Sequence, residues 1–362
     1  MPTTYAIIQG NKYMDATAYS GAGGNSTVTN AGVFKPDLVW VKSRTDTGSH
    51  VLQDSVRGFT GATKLSSNST NAENNNAGDA TDPIYGWVTN ATSSGFSVYA
   101  GTTPSQVNKS GQNYVGWQWQ AAQGANVTNT TGTVTSKVSA NTTAGFSIVT
   151  YTGTGTTGTV GHGLSSAPSM IILKSRNPAD SWLVYHAGNP NPATNTLILN
   201  DTIAVQTSSL NWNSTAPTSS VFSVYNPGSG GYSNGNGYLY VAYCWSAVPG
   251  FSAFGSYTGN GAADGPFIYL GFRPKFVLFK GSTTAGGWMI ADTARSPYNI
   301  SAAALFPNAG NVEYTIASDV GIDFLSNGIK IRSQGGELNY VSGQTYIYAA
   351  FAETPFKYAN AR

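Results

Sequence analysis

Two short stretches pair a carboxylate with a guanidinium at fixed spacing. "DSVRG" places Asp54 three residues before Arg57, and "DTARS" places Asp292 three residues before Arg295. A carboxylate held this way could bind or hydrolyse a sugar. Hydrolysis, however, needs a second positioned group, either a paired carboxylate or a nucleophile with its base. None recurs at a matching offset, so the plainer reading is an ion pair that fixes the turn after a strand.

Other candidates carry less. Asp319 and Asp323 in "SDVGIDF" lack the dense Asp/Asn/Gly loop that calcium requires and read as a solvated strand edge. His50, His162 and His186 are scattered without metal-ligand spacing, and one cysteine, Cys244, forms neither a thiolate zinc site nor an internal disulfide. Cys244 lies in the apolar run "YVAYCWSAV" and reads as a small buried hydrophobe. Gly-rich stretches such as "GNGAADG" precede strands, so they are turns and not phosphate cradles. Eight tryptophans could stack on sugar rings. Strand alternation puts Trp117 and Trp119 on one face, most simply a core face. Trp87 in "IYGWVTN" and Trp212 in the polar loop "LNWNSTAP" are the better candidates for exposed carbohydrate contacts. No cofactor is expected.

The elements that position these residues repeat. "PDLVWVKSR" begins at Pro36, "PSMIILKSR" at Pro168 and "PKFVLFKGS" at Pro274. Seventeen residues before each proline stands the tyrosine of a Tyr-Ser/Thr-Gly turn, at Tyr19, Tyr151 and Tyr257. Six residues after it stand Lys42, Lys174 and Lys280, which should mark where the strand meets water. A closing aromatic strand begins at Tyr114, Tyr240 and Tyr346, which lie 78, 72 and 72 residues after the prolines. Fixed offsets on both sides of a motif indicate internal triplication. Eighteen residues after the prolines the repeats carry Asp54, His186 and Asp292, and three further on Arg57, Asn189 and Arg295. The middle repeat therefore lacks the Asp-Arg pattern.

Within a repeat, runs such as "FSIVTY", "SMIILKS", "SWLVYH" and "VFSVYN" are short, β-branched or aromatic, and bounded by Gly, Asn, Pro or Ser. Several are apolar at nearly every position, as strands covered on both faces would be. The expected fold class is all-β: three tandem β-sandwich domains of jelly-roll or lectin-like type. The expected bounds are residues 5–123, 144–249 and 250–362, with a Ser/Thr/Asn-rich linker at 124–143 that should be extended or loosely ordered. Three similar domains in one chain would also suit a pseudo-threefold arrangement, although the unequal links argue against perfect symmetry.

Composition narrows the function. Charged residues are 9% of the 362, against about 25% in an average globular protein, and the formal net charge is +2. That balance gives no electrostatic reason to expect nucleic acid or an anionic membrane as partner. The N-terminus lacks the basic start and apolar run of a secretory signal, and no stretch approaches the length of a membrane span. Asn-x-Ser/Thr triplets follow from composition.

Taken together, "FKPDLVWVKSR…VLQDSVRG", "GFSIVTYTGTGTTGTVGHGLSSAPSMIILKSR", "YVAYCWSAVPGFSAFGSYTGNGAADGPFIYLGFRPKFVLFK" and "YIYAAFAETPFK" resemble a family of repeated structural-protein domains encoded by tailed bacteriophages of marine and cyanobacterial hosts. The resemblance covers all three repeats. It implies a non-enzymatic virion component, made in the host cytoplasm and exposed on the particle surface as a tail fibre, head fibre or capsid decoration. Its partners would be other virion proteins, with host-surface glycan and self-association as further possibilities. The alternative is a carbohydrate-binding adhesin for the host surface; a polysaccharide depolymerase ranks below both. The family carries no catalytic residues onto this chain.

Overall fold

The computed structural model describes residues 7, 9–73, 85–101, 106–207, 210–225, 233–315 and 321–353. The fold is all-β and antiparallel. The first repeat contains β1 (Met14–Ser20), β2 (Ser26–Thr29), β3 (Leu38–Ser43), β4 (Val51–Asp54), β5 (Trp87–Thr92), β6 (Gly95–Tyr99) and β7 (Asn113–Trp119). The second contains β8 (Val127–Asn129), β9 (Ser136–Asn141), β10 (Phe146–Thr152), β11 (Gly158–Gly161), β12 (Met170–Ser175), β13 (Leu183–His186), β14 (Asn195–Ile198), β15 (Gln206–Thr207), β16 (Val221–Val224) and β17 (Leu239–Trp245). The third contains β18 (Ser252–Thr258), β19 (Phe267–Tyr269), β20 (Pro274–Gly281), β21 (Trp288–Asp292), β22 (Ala303–Ala304), β23 (Tyr314–Thr315), β24 (Ile322–Leu325), β25 (Gly328–Ile331) and β26 (Thr345–Ala352).

Each repeat builds one large sheet in the same strand order. The orders are β1-β7-β3-β4, β10-β17-β12-β13 and β18-β26-β20-β21. The registers match as well: Tyr19 faces Tyr114, Tyr151 faces Tyr240 and Tyr257 faces Tyr346, with rings stacked at 5.3, 4.9 and 5.3 Å. A smaller sheet accompanies each large one, ordered β2-β6-β5, β11-β16 and β19-β25-β24.

The Tyr-Ser/Thr-Gly turn has a physical cause that is the same three times. Asn108, Asn234 and Asn339 each accept a backbone N–H from the residue three after the tyrosine, at Ala22, Thr154 and Asn260. The turn glycine sits against the chain that carries the asparagine. A Cβ on Gly21 would lie 2.1 Å from the Lys109 carbonyl oxygen, and one on Gly153 2.1 Å from that of Gly235. Only glycine permits so close an approach.

The proline strands are apolar throughout because both faces are covered. Leu38 and Trp40 of β3, and Met170 and Ile172 of β12, enter a core shared by all three repeats, together with Phe276 and Leu278 of β20. Val39 and Val41 instead pack with Val28, Val88, Phe96 and Val98 of the first small sheet, and Ile171 and Leu173 with Val160, Phe222 and Val224 of the second. The shared core centres on matched residues of the three closing strands. Trp119 meets Trp245 and Phe351 edge to face, each at 5.9 Å between ring centroids.

Two expectations need correction. Residues 124–143 are not a loose tether, since β8 and β9 pair with each other and β9 pairs with β10, extending the second large sheet to eight strands with β14 and β15. The hydroxyl-rich sequence conceals this because Val134 and Val138 bury their side chains while Val127 remains exposed. The three lysines do not mark water either: Lys42, Lys174 and Lys280 are each 0% exposed. Their strand ends meet a neighbouring turn instead of solvent. Among the described residues, no helix is long and apolar enough to cross a membrane.

Candidate functional site

The chemistry-bearing residues converge where the repeats meet. Three backbone contacts recur in cyclic order. Glu73 N–H donates to the Arg176 carbonyl at 2.7 Å, Val205 N–H to Ser282 at 2.8 Å, and Glu313 N–H to Arg44 at 2.7 Å. These join repeat one to two, two to three and three to one. A second set runs in the same order: Asp180 N–H donates to Thr70, Gly286 to Thr202 and Gly48 to Gly310.

Ring N–H groups form a third set, fourteen residues after each proline. Trp182 Nε1 donates to the Ser66 carbonyl at 2.9 Å, Trp288 Nε1 to Ile198 at 2.8 Å, and His50 Nε2 lies 3.0 Å from the Phe306 carbonyl. A carbonyl only accepts, so His50 must carry its proton on Nε2. Its Nδ1 is then free to accept from Trp40 Nε1 at 2.8 Å. Burial lowers the His50 pKa to about 3 and that of His186 to about 4, so both are neutral near pH 7. His186 Nε2 meets the Tyr348 carbonyl of the third repeat at 3.1 Å, while its Nδ1 accepts the Gly188 N–H.

The Asp-Arg pairs lie in the same seams. Asp54 and Arg57 are fully buried and 2.5 Å apart, and Asp54 also accepts from Tyr243 of the second repeat at 2.9 Å. Asp292 and Arg295, equally buried, lie 2.6 Å apart, and Asp292 accepts from Trp117 Nε1 of the first repeat at 2.9 Å. The Arg295 guanidinium carbon sits 5.6 Å from the centre of the same Trp117 ring. Each arginine then reaches a glutamate that continues across the seam. Glu73 bridges Arg57 and Arg176, and Glu313 bridges Arg295 and Arg44. Each glutamate thus lies between two arginines, and both aspartates are buried away from solvent. In the second repeat Asn189 replaces the arginine and accepts from Ser282 Oγ at 2.7 Å.

Two of the three lysines cross the seams. Lys174 Nζ donates to the Thr70 carbonyl of the first repeat and Lys280 Nζ to Thr202 of the second, while Lys42 donates to Ser43 and Asp46 within its own repeat. Burial lowers each ammonium pKa to about 8.

The proposed sugar contacts separate. Trp212 is 1% exposed and packs edge to face on Tyr185 in the second repeat's core, so its polar loop folds it inward and the expectation of an exposed ring does not hold. Trp87 is half-buried, 4.4 Å from the Tyr99 ring centroid, with Gly61 beneath it. Asp323 pairs with Arg332 at 2.7 Å, and Asp319 lies outside the described residues. Cys244 is buried, which pushes its thiol pKa up. Among the described residues no three His, Cys, Asp or Glu side chains converge in a metal-binding group.

Sequence reasoning paired Asp54 with Arg57 and Asp292 with Arg295. It missed Glu73, Glu313, Tyr243 and the role of His50. The available signal was the repeat offset: His50, Trp182 and Trp288 all stand fourteen residues after their proline.

A family model described as a domain of unknown function, DUF7483, matches residues 9–355, and the chain belongs to that family. No curated protein and no solved structure matches it.

Proposed function

For this member of the DUF7483 family, we propose a non-enzymatic structural role on the surface of a tailed-phage particle, as capsid decoration or as part of a head or tail fibre. Each repeat is read as a β-sandwich of jelly-roll or lectin-like type, and the three are fused into one pseudo-trimeric body. The observation that carries this reading is the cyclic recurrence of the seam contacts, in which repeat one holds two, two holds three and three holds one through matched positions. A closed ring of this kind presents related surfaces about one axis, as a component docked on a threefold site of a shell or fibre would. The buried ion pairs and neutral imidazoles act as joints, and the low charge of 9% limits nonspecific adhesion.

Locating the protein in a cryo-EM map of the intact particle tests the reading. The expected result is one chain at each occupied threefold position, with its other face in solvent. Absence of the chain from purified particles would overturn it.

A further inference from the structure

The small sheets of the three repeats differ on their outer faces. In β19, Phe267 is 48% and Tyr269 is 70% exposed, while Ile268 between them is buried. Alternation therefore points both rings outward, roughly 7 Å apart along the strand. The matched strands carry Thr27 and Thr29 around buried Val28, and Thr159 and Gly161 around buried Val160. Those strands pair and pack without aromatics, so the sheet itself does not require Phe267 or Tyr269.

Each ring lies beside a residue without a side chain. A Cβ on Gly328 would sit 3.1 Å from Phe267 Cε2, and one on Gly271 would sit 3.6 Å from Tyr269 Oη. Beside the rings runs a fixed polar rim. Lys330, directly across from Phe267 in the register, holds the exposed Asp264 at 2.6 Å, and Arg332 holds Asp323 at 2.7 Å. Two acids and two bases make this rim neutral as a set.

We infer that this face is a binding platform for a neutral hexose polymer. Ring faces in line along a strand suit the apolar faces of successive pyranoses, and the rim offers oriented donors and acceptors for their hydroxyls. A rim without net charge gives no preference for an acidic glycan. A protein partner fits poorly. Two side chains on an edge strand fall far short of the roughly 800 Å² per partner of a stable interface. Covering the rim would also desolvate its ion pairs. The inference does not depend on the particle role proposed above, and a binding assay on the isolated full chain can fail without touching that role.

The test is an array of immobilised hexaoses of glucose, mannose and galactose, followed by calorimetric titration of any that bind. Wild type is expected to bind at least one. Tyr269→Ala should weaken that binding about tenfold, as loss of one stacked ring would. Phe267→Ala with Tyr269→Ala should abolish it, and Thr27→Ala with Thr29→Ala should leave it unchanged. Unaltered thermal unfolding would show that the exposed substitutions leave the fold intact. Failure of wild type to bind any hexaose overturns the inference, as does binding indifferent to both aromatics. So does a dimer, seen by sedimentation, that the double substitution dissociates.

Discussion

The seam between repeats two and three differs in chemistry from the other two. Its neighbours each bury an aspartate-arginine pair extended by a bridging glutamate, Glu73 or Glu313. The two–three seam places His186, Asn189, Val205 and Ser282 at the matched positions. Yet the backbone bond there is 2.8 Å against 2.7 Å at the other two. The contrast teaches that main-chain geometry closes the ring, while side-chain charge is a local solution that must be kept whole once buried. The two–three seam is also joined most directly, because β17 ends at Trp245 and β18 begins at Ser252. A short covalent link raises the effective concentration of the two faces, so the seam has less need of strong side-chain pairing.

The strongest way to break this comparison is Asp292→Ala, which leaves Arg295 buried without its closest partner. It should cost about 3–5 kcal/mol in denaturant unfolding. His186→Ala, which removes a neutral partner from the Tyr348 carbonyl, should cost clearly less. Acid provides the next effect. His50 and His186 have folded pKa values near 3 and 4, below the ordinary 6.5. Their contribution is therefore present above pH 6.5 and is lost as pH falls through that value toward 3, on the order of a few kcal/mol in all. Both histidines lie in seams of the third repeat, so hydrogen exchange near pH 4 should show β18, β20 and β26 losing protection before the strands of the one–two seam.

Transplanting the neutral chemistry sharpens the argument. Asp54→His, Arg57→Asn, Glu73→Val, Arg176→Ser and Tyr243→Ala, made together, give the one–two seam the residue set of the two–three seam. The five-site variant should lose less stability than Asp54→Ala alone. A higher cost than the single change would show that charge, and not backbone, holds that seam. Lysine burial predicts a smaller effect of the same pH sign in a higher window. With folded pKa near 8 against an ordinary 10.5, stability should rise as pH increases from about 8 toward 10, and Lys174→Met should reduce that rise. Smallest of all, Trp245→Phe removes an indole N–H that has no acceptor among the described residues, and it should change stability by less than about 1 kcal/mol.

The fold was legible where it depends on local, repeated rules. Proline at or just before a strand, glycine at a crowded turn and alternating or fully apolar strands all follow from the chain's own geometry, and matched offsets exposed the triplication. The site was legible only as two isolated Asp-Arg pairs. What joins them is long-range: Tyr243 lies 189 residues from Asp54, and Trp117 lies 175 from Asp292. No period or motif encodes such a meeting. Lys174 looked like a strand end at the surface because a lysine is ordinarily solvated there, and only the Thr70 carbonyl of the neighbouring repeat reverses that. Trp212 misled for a local reason, since a polar loop can fold its one large ring into its own repeat's core.

A ring held in a single polypeptide has no assembly equilibrium. Three separate copies would dissociate on dilution, and every copy would have to carry an identical face. Here the stoichiometry is written into the gene, so the β19 position can hold Phe and Tyr in one lobe while its counterparts keep threonine, and the body can specialise one side without losing the other two.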